Sequence, residues 1–521
     1  MNIAIVGAGF AGLSTAKVLK LFGHRVTVFE KAPDVGGVWS ASRRYPGLTT
    51  QNPRDQYALS DFPMPQDYPE WPSGEQVQAY LQSYAEHFDL LGDIRLNTEV
   101  INATLDETQR RWTVTSREQP ASAHAPIQPS RIASFDHLVV CNGIFCDPAV
   151  PRYAGLDAFV QAGGRVCHTC DFNTLDDARG KHVLVVGYGK SSCDVASAIA
   201  ETSASTTVLA RHLIWKIPKK FFNRLNFKFL LMTRMGEALF RYSHLKGFEK
   251  FLHGPGLPIR NSMLDSVQAV VTRQLRLRQL DLVPSVPLET IARSTVSLVS
   301  DRFYEQIGQG KLTVRKNAEI ERLDVVDGQR VAVLKARSDS AQLLSDTVPA
   351  DIVVCGTGFH QRVPFFSEAL MHRLTDERGN FRLYRQTLPI DVPCLAFNGY
   401  NSSFFSQLSA EVGALWLAHH LAGGMTLPRP EEQRRLVDRR LRWMEERTEY
   451  KHAKGTNLIP FSMHQIDELL ADMKLDVGTL TRVKEWLNPV NPSDYAKLTD
   501  QLLERHRGEA PRPLDSTSVP A

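Results

Sequence analysis

Residues 183–199 read VLVVGYGKSSCDVASAI: four apolar residues, a glycine turn and a helical run. Val183–Val186 is a short β-branched stretch bounded by glycine, which predicts a buried strand. Gly187 and Gly189 then predict a tight turn opening a helix, the start of a dinucleotide-binding unit. The chain has already opened on the same plan, with IAIVGAGFAGLSTAKVL at 3–19. Two such units in one chain predict an α/β protein with two Rossmann-like domains.

The two turns differ in chemistry. In the first, Gly7, Gly9 and Gly12 supply a tight turn, a close approach of backbone to a pyrophosphate, and close helix–strand packing. The helix then opens at Phe10 and Ala11, whose N–H groups and dipole suit phosphate. The next strand, Val26–Phe29, ends in Glu30 followed by Lys31, and the acid is placed for the ribose hydroxyls of an adenine nucleotide. In the second unit Gly187 and Gly189 hold the first two places, Lys190 and Ser191 open the helix, and the small Ser192 takes the third place. Its following strand, Thr207–Ala210, ends in Arg211 and His212 instead of an acid. A carboxylate there repels a 2′-phosphate, whereas a guanidinium binds one bidentately. The first unit is therefore expected to take FAD or NAD, and the second NADP. Paired with NADPH, the first nucleotide is expected to be FAD.

A chain of 521 residues, 43% apolar and 23% charged, has ample length for buried cores and about three domains. A net charge of +4 and the lack of any long basic run argue against a nucleic-acid partner. Met1 runs straight into a strand and glycine turn without a basic n-region or cleavage site, so no secretory leader is expected, and no stretch reaches the length of a membrane span. Seven cysteines are an odd, scattered set and predict no disulfide framework, so the expected location is cytoplasmic. No spacing of His, Cys, Asp and Glu suggests a metal site.

The expected organisation is a FAD domain from 1 to 151, interrupted by an NADPH domain from 152 to 335, resumed from 336 to 430, and followed by a helical C-terminal region from 431 to 521. Residues 36–39, GGVW, and 44–65 are loop-like. A helix is expected from Ser73, with Gln76 completing a capping box and Val77, Tyr80, Leu81, Tyr84 and Phe88 on one face. Alternation around Trp112 and Val114 predicts a small antiparallel insert, and Asp327-Gly328 predicts a hairpin over 323–334. HLVVCNGIF (137–145) and its near-twin DIVVCGTGF (351–359) are strands running into glycine turns, and mark the crossings between domains. Within a helical insertion at about 215–290, residues 215–252 are aromatic and basic; they suit a lid over the active site, and their apolar face with Lys and Arg also suits a membrane surface. The closing GEAPRPLDSTSVPA is expected to be disordered.

On these motifs the chain resembles the class B flavin-dependent monooxygenases, which hold the flavin-containing and the Baeyer–Villiger monooxygenases. The matching stretches are the two turns, GGVW, SDFPMP, VVCNGIF, CGTGF and NGYNSSFFSQL (398–408). The group's F-x-G-x-x-x-H-x-x-x-(Y/F/W) pattern is met by Gly164, His168 and Phe172, with Ala162 in place of the first Phe. The resemblance implies an NADPH- and O₂-dependent enzyme that forms a flavin C4a-hydroperoxide and oxygenates a small organic substrate. It also implies cofactor contacts at Gly37, Val38, Trp39, Asn142, Thr357, Gly358 and Gln407. Ending the pattern in Phe172 favours oxygenation at N or S; RYPG at 44–47 resembles the Baeyer–Villiger branch, which leaves ketone oxygenation as the alternative.

The flavin-containing enzymes carry an Asn ten residues before the Asp of their D-F-P stretch. Counting back from Asp61 reaches Gln51, with Asn52 beside it, and one of the two is the expected contact to the reacting oxygen. A second alternative rests on Cys167 and Cys170 in CHTCDF, whose spacing resembles the dithiol of a thioredoxin-type disulfide reductase. A catalytically idle NADP-binding regulator is a third, disfavoured by two intact glycine turns and Arg211.

Overall fold

A computed structural model describes residues 1–120, 126, 128–293, 297–336, 346–450 and 454–508; the expected tail beyond 508 lies outside the described residues. The chain opens with β1 (Asn2–Val6), α1 (Phe10–Leu21) and β2 (Arg25–Phe29), followed by β3 (Ile94–Arg95) and β4 (His137–Val140). β1 pairs in parallel with β2, Val6 facing Phe29, and with β4, Val6 facing Val140. Every residue of β4 is buried, as a strand covered on both faces of a parallel sheet requires. The helix over Gly74–His87 carries the expected capping box: Ser73 accepts from the Gln76 amide, and Gln76 accepts from the Ser73 amide at 2.9 Å. A three-stranded antiparallel insert, 98–106, 111–118 and 131–135, buries Trp112.

The second sheet is built from β5 (Arg165–His168), β6 (His182–Val186), β7 (Ser205–Ala210), β8 (Thr313–Lys316) and β9 (Ile352–Cys355), in the order β8-β7-β6-β9-β5, all parallel. The helix α2 (Lys190–Ile199) follows β6. The antiparallel strands 318–326 and 329–336 turn through Asp327 and Gly328, both with positive φ, which is the hairpin that Asp-Gly predicts.

Two expectations need correction here. The boundary expected at 335 falls too early. β9 lies in the second sheet, between β6 and β5, so that unit runs through Cys355. VVC occurs at the end of β4 and of β9 alike, and its apolar pattern does not say which sheet a strand joins. The stretch 215–252 is also less helical than expected. It begins with short extended pieces at 216–217, 220–221 and 225–226, and helix follows only at 228–231, 234–238 and 248–252. Phe222 and Asn223 both adopt positive φ and reverse the chain between Phe221 and Leu225. The Phe-Asn pair lacks the Asn-Gly or Asp-Gly composition that announces such a turn.

The first sheet is completed late in the chain by β10 (Leu395–Phe397), which pairs in parallel with β4. The two connectors between the sheets lie side by side, Asp147 opposite His360 and Pro148 opposite Phe359. The chain then forms α3 (Ser406–Leu421), α4 (Pro430–Arg447), α5 (Ser462–Asp472) and α6 (Thr479–Leu487). α3 packs along α1, and a buried charge cluster fixes the contact. Lys17 of α1 is ion-paired to Asp61 of SDFP and lies 3.7 Å from Glu411 of α3, whose other oxygen accepts from the Ser60 amide at 2.9 Å. Such a group is stable only when complete, because removing one charge strands the others in a low dielectric. Among the described residues no helix is long and apolar enough to cross a membrane.

Candidate cofactor and active site

The first glycine turn is packed to its steric limit. Gly7 has φ +108° and its amide donates to Phe29 O at 2.8 Å, tying the turn to the end of β2. A Cβ on Gly12 would lie 1.8 Å from Gly7 O, and one on Gly37 would lie 3.3 Å from the Gly9 Cα. GGVW is thus folded back over the turn. No side chain caps α1, so the amides that open it at Phe10, Ala11 and Gly12 face no competing protein acceptor from a cap. Glu30 is buried at the end of β2 and accepts from the Ala8 and Ala32 amides at 2.7 and 2.8 Å. Burial raises its pKa, while these two hydrogen bonds and the nearby Lys31 and Arg43 charges oppose the rise. Each carboxylate oxygen has a second lone pair, so ribose hydroxyls still find acceptors there.

The remaining expected flavin contacts divide. Trp39 is buried with its ring edge-on to Tyr57 at 5.6 Å, and the Tyr57 hydroxyl lies beside Trp39 and Gln407. The Oε1 of Gln407 is buried without a hydrogen-bond partner. The 398–408 loop sits on the first turn: a Cβ on Gly399 would lie 2.8 Å from the Ala11 Cβ, and Asn398 donates to Thr15 Oγ1 at 2.9 Å. The structure therefore brings together Gly7–Gly12, Glu30, Gly37, Trp39 and Gln407, with Val38 exposed between them. The glycine cradle and the orphaned Gln407 oxygen suit a bound FAD. Asn142 adjoins Gly7, but its amide is already engaged, donating to Arg362 O at 2.9 Å and accepting from Tyr400 at 2.7 Å.

The second turn repeats the plan with one exchange. Gly187 has φ +114° and its amide donates to Leu209 O at 2.9 Å. Ser192 takes the third place because Gly356 makes room for it: a Cβ on Gly356 would lie 1.9 Å from Ser192 Oγ. That hydroxyl rests on the carbonyls of Val186 and Gly356 at 3.5 and 3.4 Å. Nothing stands within 4 Å of where a Cβ on Gly189 would be, which leaves the backbone open to a ligand. Lys190 is ion-paired to the buried Asp194 on its own helix, beside Ser191, and no side chain caps α2. Arg211 and His212 are exposed just past β7. An open glycine turn with an exposed guanidinium at the next strand end suits the phosphates of NADPH.

Gln51 and Asn52 are separated by the fold. Gln51 is exposed, and its Oε1 accepts from the Leu298 amide at 3.2 Å, which leaves its Nε2 donors for a ligand. Asn52 is buried and donates to Phe404 O, anchoring this stretch to the 398–408 loop. Leu298 belongs to a short parallel pairing of 297–298 with 216–217. There the fully buried Lys216 donates to Tyr188 O at 2.8 Å and to Ser297 Oγ at 3.1 Å. A continuous line of contacts thus runs from the second glycine turn through Lys216 to Gln51. Lys216 escaped the sequence reading; its one signal was a cation inside the apolar stretch LIWKIP. The RYPG loop closes the same interface, since a Cβ on Gly47 would lie 2.9 Å from Asp194 O and Tyr45 reaches Asp194 at 3.5 Å.

Thr357, Gly358 and His168 meet at the connectors. His168 is buried, with Nε2 3.0 Å from Gly358 O, Nδ1 3.2 Å from Cys170 Sγ, and its ring edge-on to Phe359 at 4.6 Å. Burial lowers its pKa, so it stays neutral and orients the crossing. The Thr357 hydroxyl donates to Ala149 O on the facing connector. Arg43 spans this group and the first turn: it donates to Phe145 O at 2.6 Å, lies over the Phe359 ring at 5.7 Å, and draws down the Glu30 pKa. Cys167 and Cys170 are buried free thiols, each pushed up to about 11 by desolvation. A dithiol that exchanges electrons needs the thiolate, so this pair is poorly suited to the work.

Known proteins give the same picture. The family model of flavin-binding monooxygenase-like proteins matches residues 1–250. A probable flavin-containing monooxygenase 1 of Arabidopsis thaliana is 26% identical, the alignment covering 95% of this chain and 96% of that protein. A 4-hydroxybenzoate brominase (decarboxylating) of Marinomonas mediterranea is 27% identical over 99% of this chain and 91% of that protein. A cyclohexanone monooxygenase of Rhodococcus sp. shares the fold, with a TM-score of 0.65 at 16% identity over 90% of this chain and 97% of that one. Over nearly its whole length the chain is similar to the class B flavin-dependent monooxygenases, and its cofactors are FAD and NADPH.

Proposed function

We propose that this cytoplasmic enzyme inserts one oxygen atom at nitrogen or sulfur of a small organic molecule. When bound, NADPH would supply two electrons through FAD to activate O₂, one atom of which goes to the substrate and the other to water. The chain's own residues do the rest. Gly7, Gly9 and Gly12 with the amides of α1 seat the flavin nucleotide, Glu30 its ribose, and Trp39 and Gln407 the neighbouring wall. Gly187, Gly189 and Arg211 seat NADPH, and Gln51, tied to the second turn through Leu298 and Lys216, offers its amide to the reacting oxygen.

The observation that carries this reading is the chemistry of Gln51. It presents a neutral amide donor, held by the Leu298 amide. Oxygenating a ketone proceeds through an anionic oxygen nucleophile, which a nearby cation stabilises more strongly than a neutral amide does. Lys216 is committed to Tyr188 O and Ser297 Oγ. The basic segment 314–323 faces elsewhere, with Arg315 ion-paired to Asp346 and Lys316 to Asp281. A neutral donor suits oxygen delivered in its protonated, electrophilic form to a soft lone pair.

The test offers the FAD-loaded enzyme a thioether, a tertiary amine and a cyclic ketone in turn, each with NADPH, and identifies the products by mass. Sulfoxide or N-oxide is expected, with NADPH consumption rising in step. Lactone from the ketone with neither of these contradicts the proposal. So does a preparation that brominates a phenol in the presence of bromide and leaves thioether and amine untouched.

A further inference from the structure

α6 is folded inside out. Its buried residue is a carboxylate, Glu485, which accepts from Tyr495 at 2.9 Å and pairs with Arg234 at 2.7 Å. Its apolar residues face outward instead: Leu480, Val483 and Leu487 are 88%, 62% and 75% exposed. Three and four residues apart, they share one helix face. A single exposed leucine needs no explanation, but a contiguous apolar face does.

The face extends beyond the helix. Trp486 meets Phe248 edge-on at 6.2 Å, and Phe248 stacks on Phe251 at 5.5 Å. Phe251 rests against Gly256, where the helix Leu257–Gln274 begins with Ile259 exposed on its first turn. Two segments far apart in sequence, 248–259 and 480–487, therefore form one apolar surface.

Its charges are one-sided. From 241 to 263 the chain has a single carboxylate, Glu249, and that one is buried, 2.6 Å from His464. Arg241, Lys246 and Lys250 are exposed in the same stretch, and Lys484 lies on α6. The acids alongside, the exposed Asp476 and the half-buried Asp494, are already ion-paired, to Arg482 at 2.7 Å and Lys484 at 3.4 Å. An apolar face rimmed by cations, its carboxylates turned inward, complements anionic lipid headgroups above acyl chains. A second copy across a two-fold axis would set these same cations against each other.

We propose that the surface formed by α6 and residues 248–259 docks the enzyme on an anionic lipid bilayer. The full-length FAD-loaded protein is sedimented with vesicles of phosphatidylcholine alone and of phosphatidylcholine mixed with phosphatidylglycerol. Binding to the mixed vesicles is expected, weakened by added salt. The double substitution Leu480→Asp and Leu487→Asp is expected to lower the partitioning by about a hundredfold. Both side chains point to solvent, so FAD content and NADPH oxidation stay as in the parent. Failure to sediment with the mixed vesicles overturns the proposal. A dimer in light scattering that the same double substitution splits, without vesicle binding, overturns it too and assigns the face to a second copy.

Discussion

Gly12→Ala will give a protein that folds without retaining FAD. The added methyl would sit 1.8 Å from Gly7 O and 2.9 Å from the Gly7 carbonyl carbon. Both obstacles are backbone, so no side-chain rotation relieves the overlap. Either α1 retreats from the turn or Gly7 shifts, and Gly7 is itself held between the Phe29 carbonyl and Cys141, whose oxygen would lie 2.4 Å from a Gly7 Cβ. Displacing the helix N-terminus by about an ångström is enough to lose on the order of a hundredfold in a precisely oriented interaction. The purified variant should be colourless, with a circular dichroism spectrum close to the parent's. A yellow variant with parental FAD content would show that the pyrophosphate is not seated at this turn.

Arg211→Ala is expected to raise the NADPH KM by about ten- to a hundredfold, the loss of one charge-assisted pair of hydrogen bonds. The NADH KM should move by no more than about twofold, because NADH has no 2′-phosphate for the guanidinium to bind. Steady-state rates with both nucleotides decide it. Equal changes for both would mean that Arg211 acts on the fold of the second unit and not on the phosphate. The structure argues for the selective outcome, since Arg211 is exposed past the end of β7 and outside the core that the strand supports.

Much of this arrangement was legible in the sequence because it rests on short-range rules. Each glycine turn joins a strand to a helix within a few residues, and the capping box at Ser73 and the hairpin at Asp327-Gly328 are equally local. What escaped was set by contacts between distant segments. The strand 352–355 shares its apolar pattern with 137–140, and only pairing with Val183–Val186 assigns it to the second sheet. The different settings of Gln51 and Asn52 depend on Phe404 taking the asparagine and Leu298 the glutamine, contacts that span hundreds of residues. Thr357 and Asn142 were placed by family position at the flavin, yet their polar groups serve the connectors and the loop walls. Lys216 and Arg43 went unnoticed for a related reason. A lone cation in an apolar or loop stretch carries no pattern, and its role appears only once its partners are in place.

The most direct test of the account supplies ¹⁸O₂ to the FAD-loaded enzyme with NADPH and a thioether, and measures the mass of the product. The prediction is a sulfoxide carrying one ¹⁸O atom, formed in proportion to the NADPH oxidised. NADPH oxidation that sends all its oxygen to hydrogen peroxide with every thioether and amine offered, or a sulfoxide without the label, would contradict it.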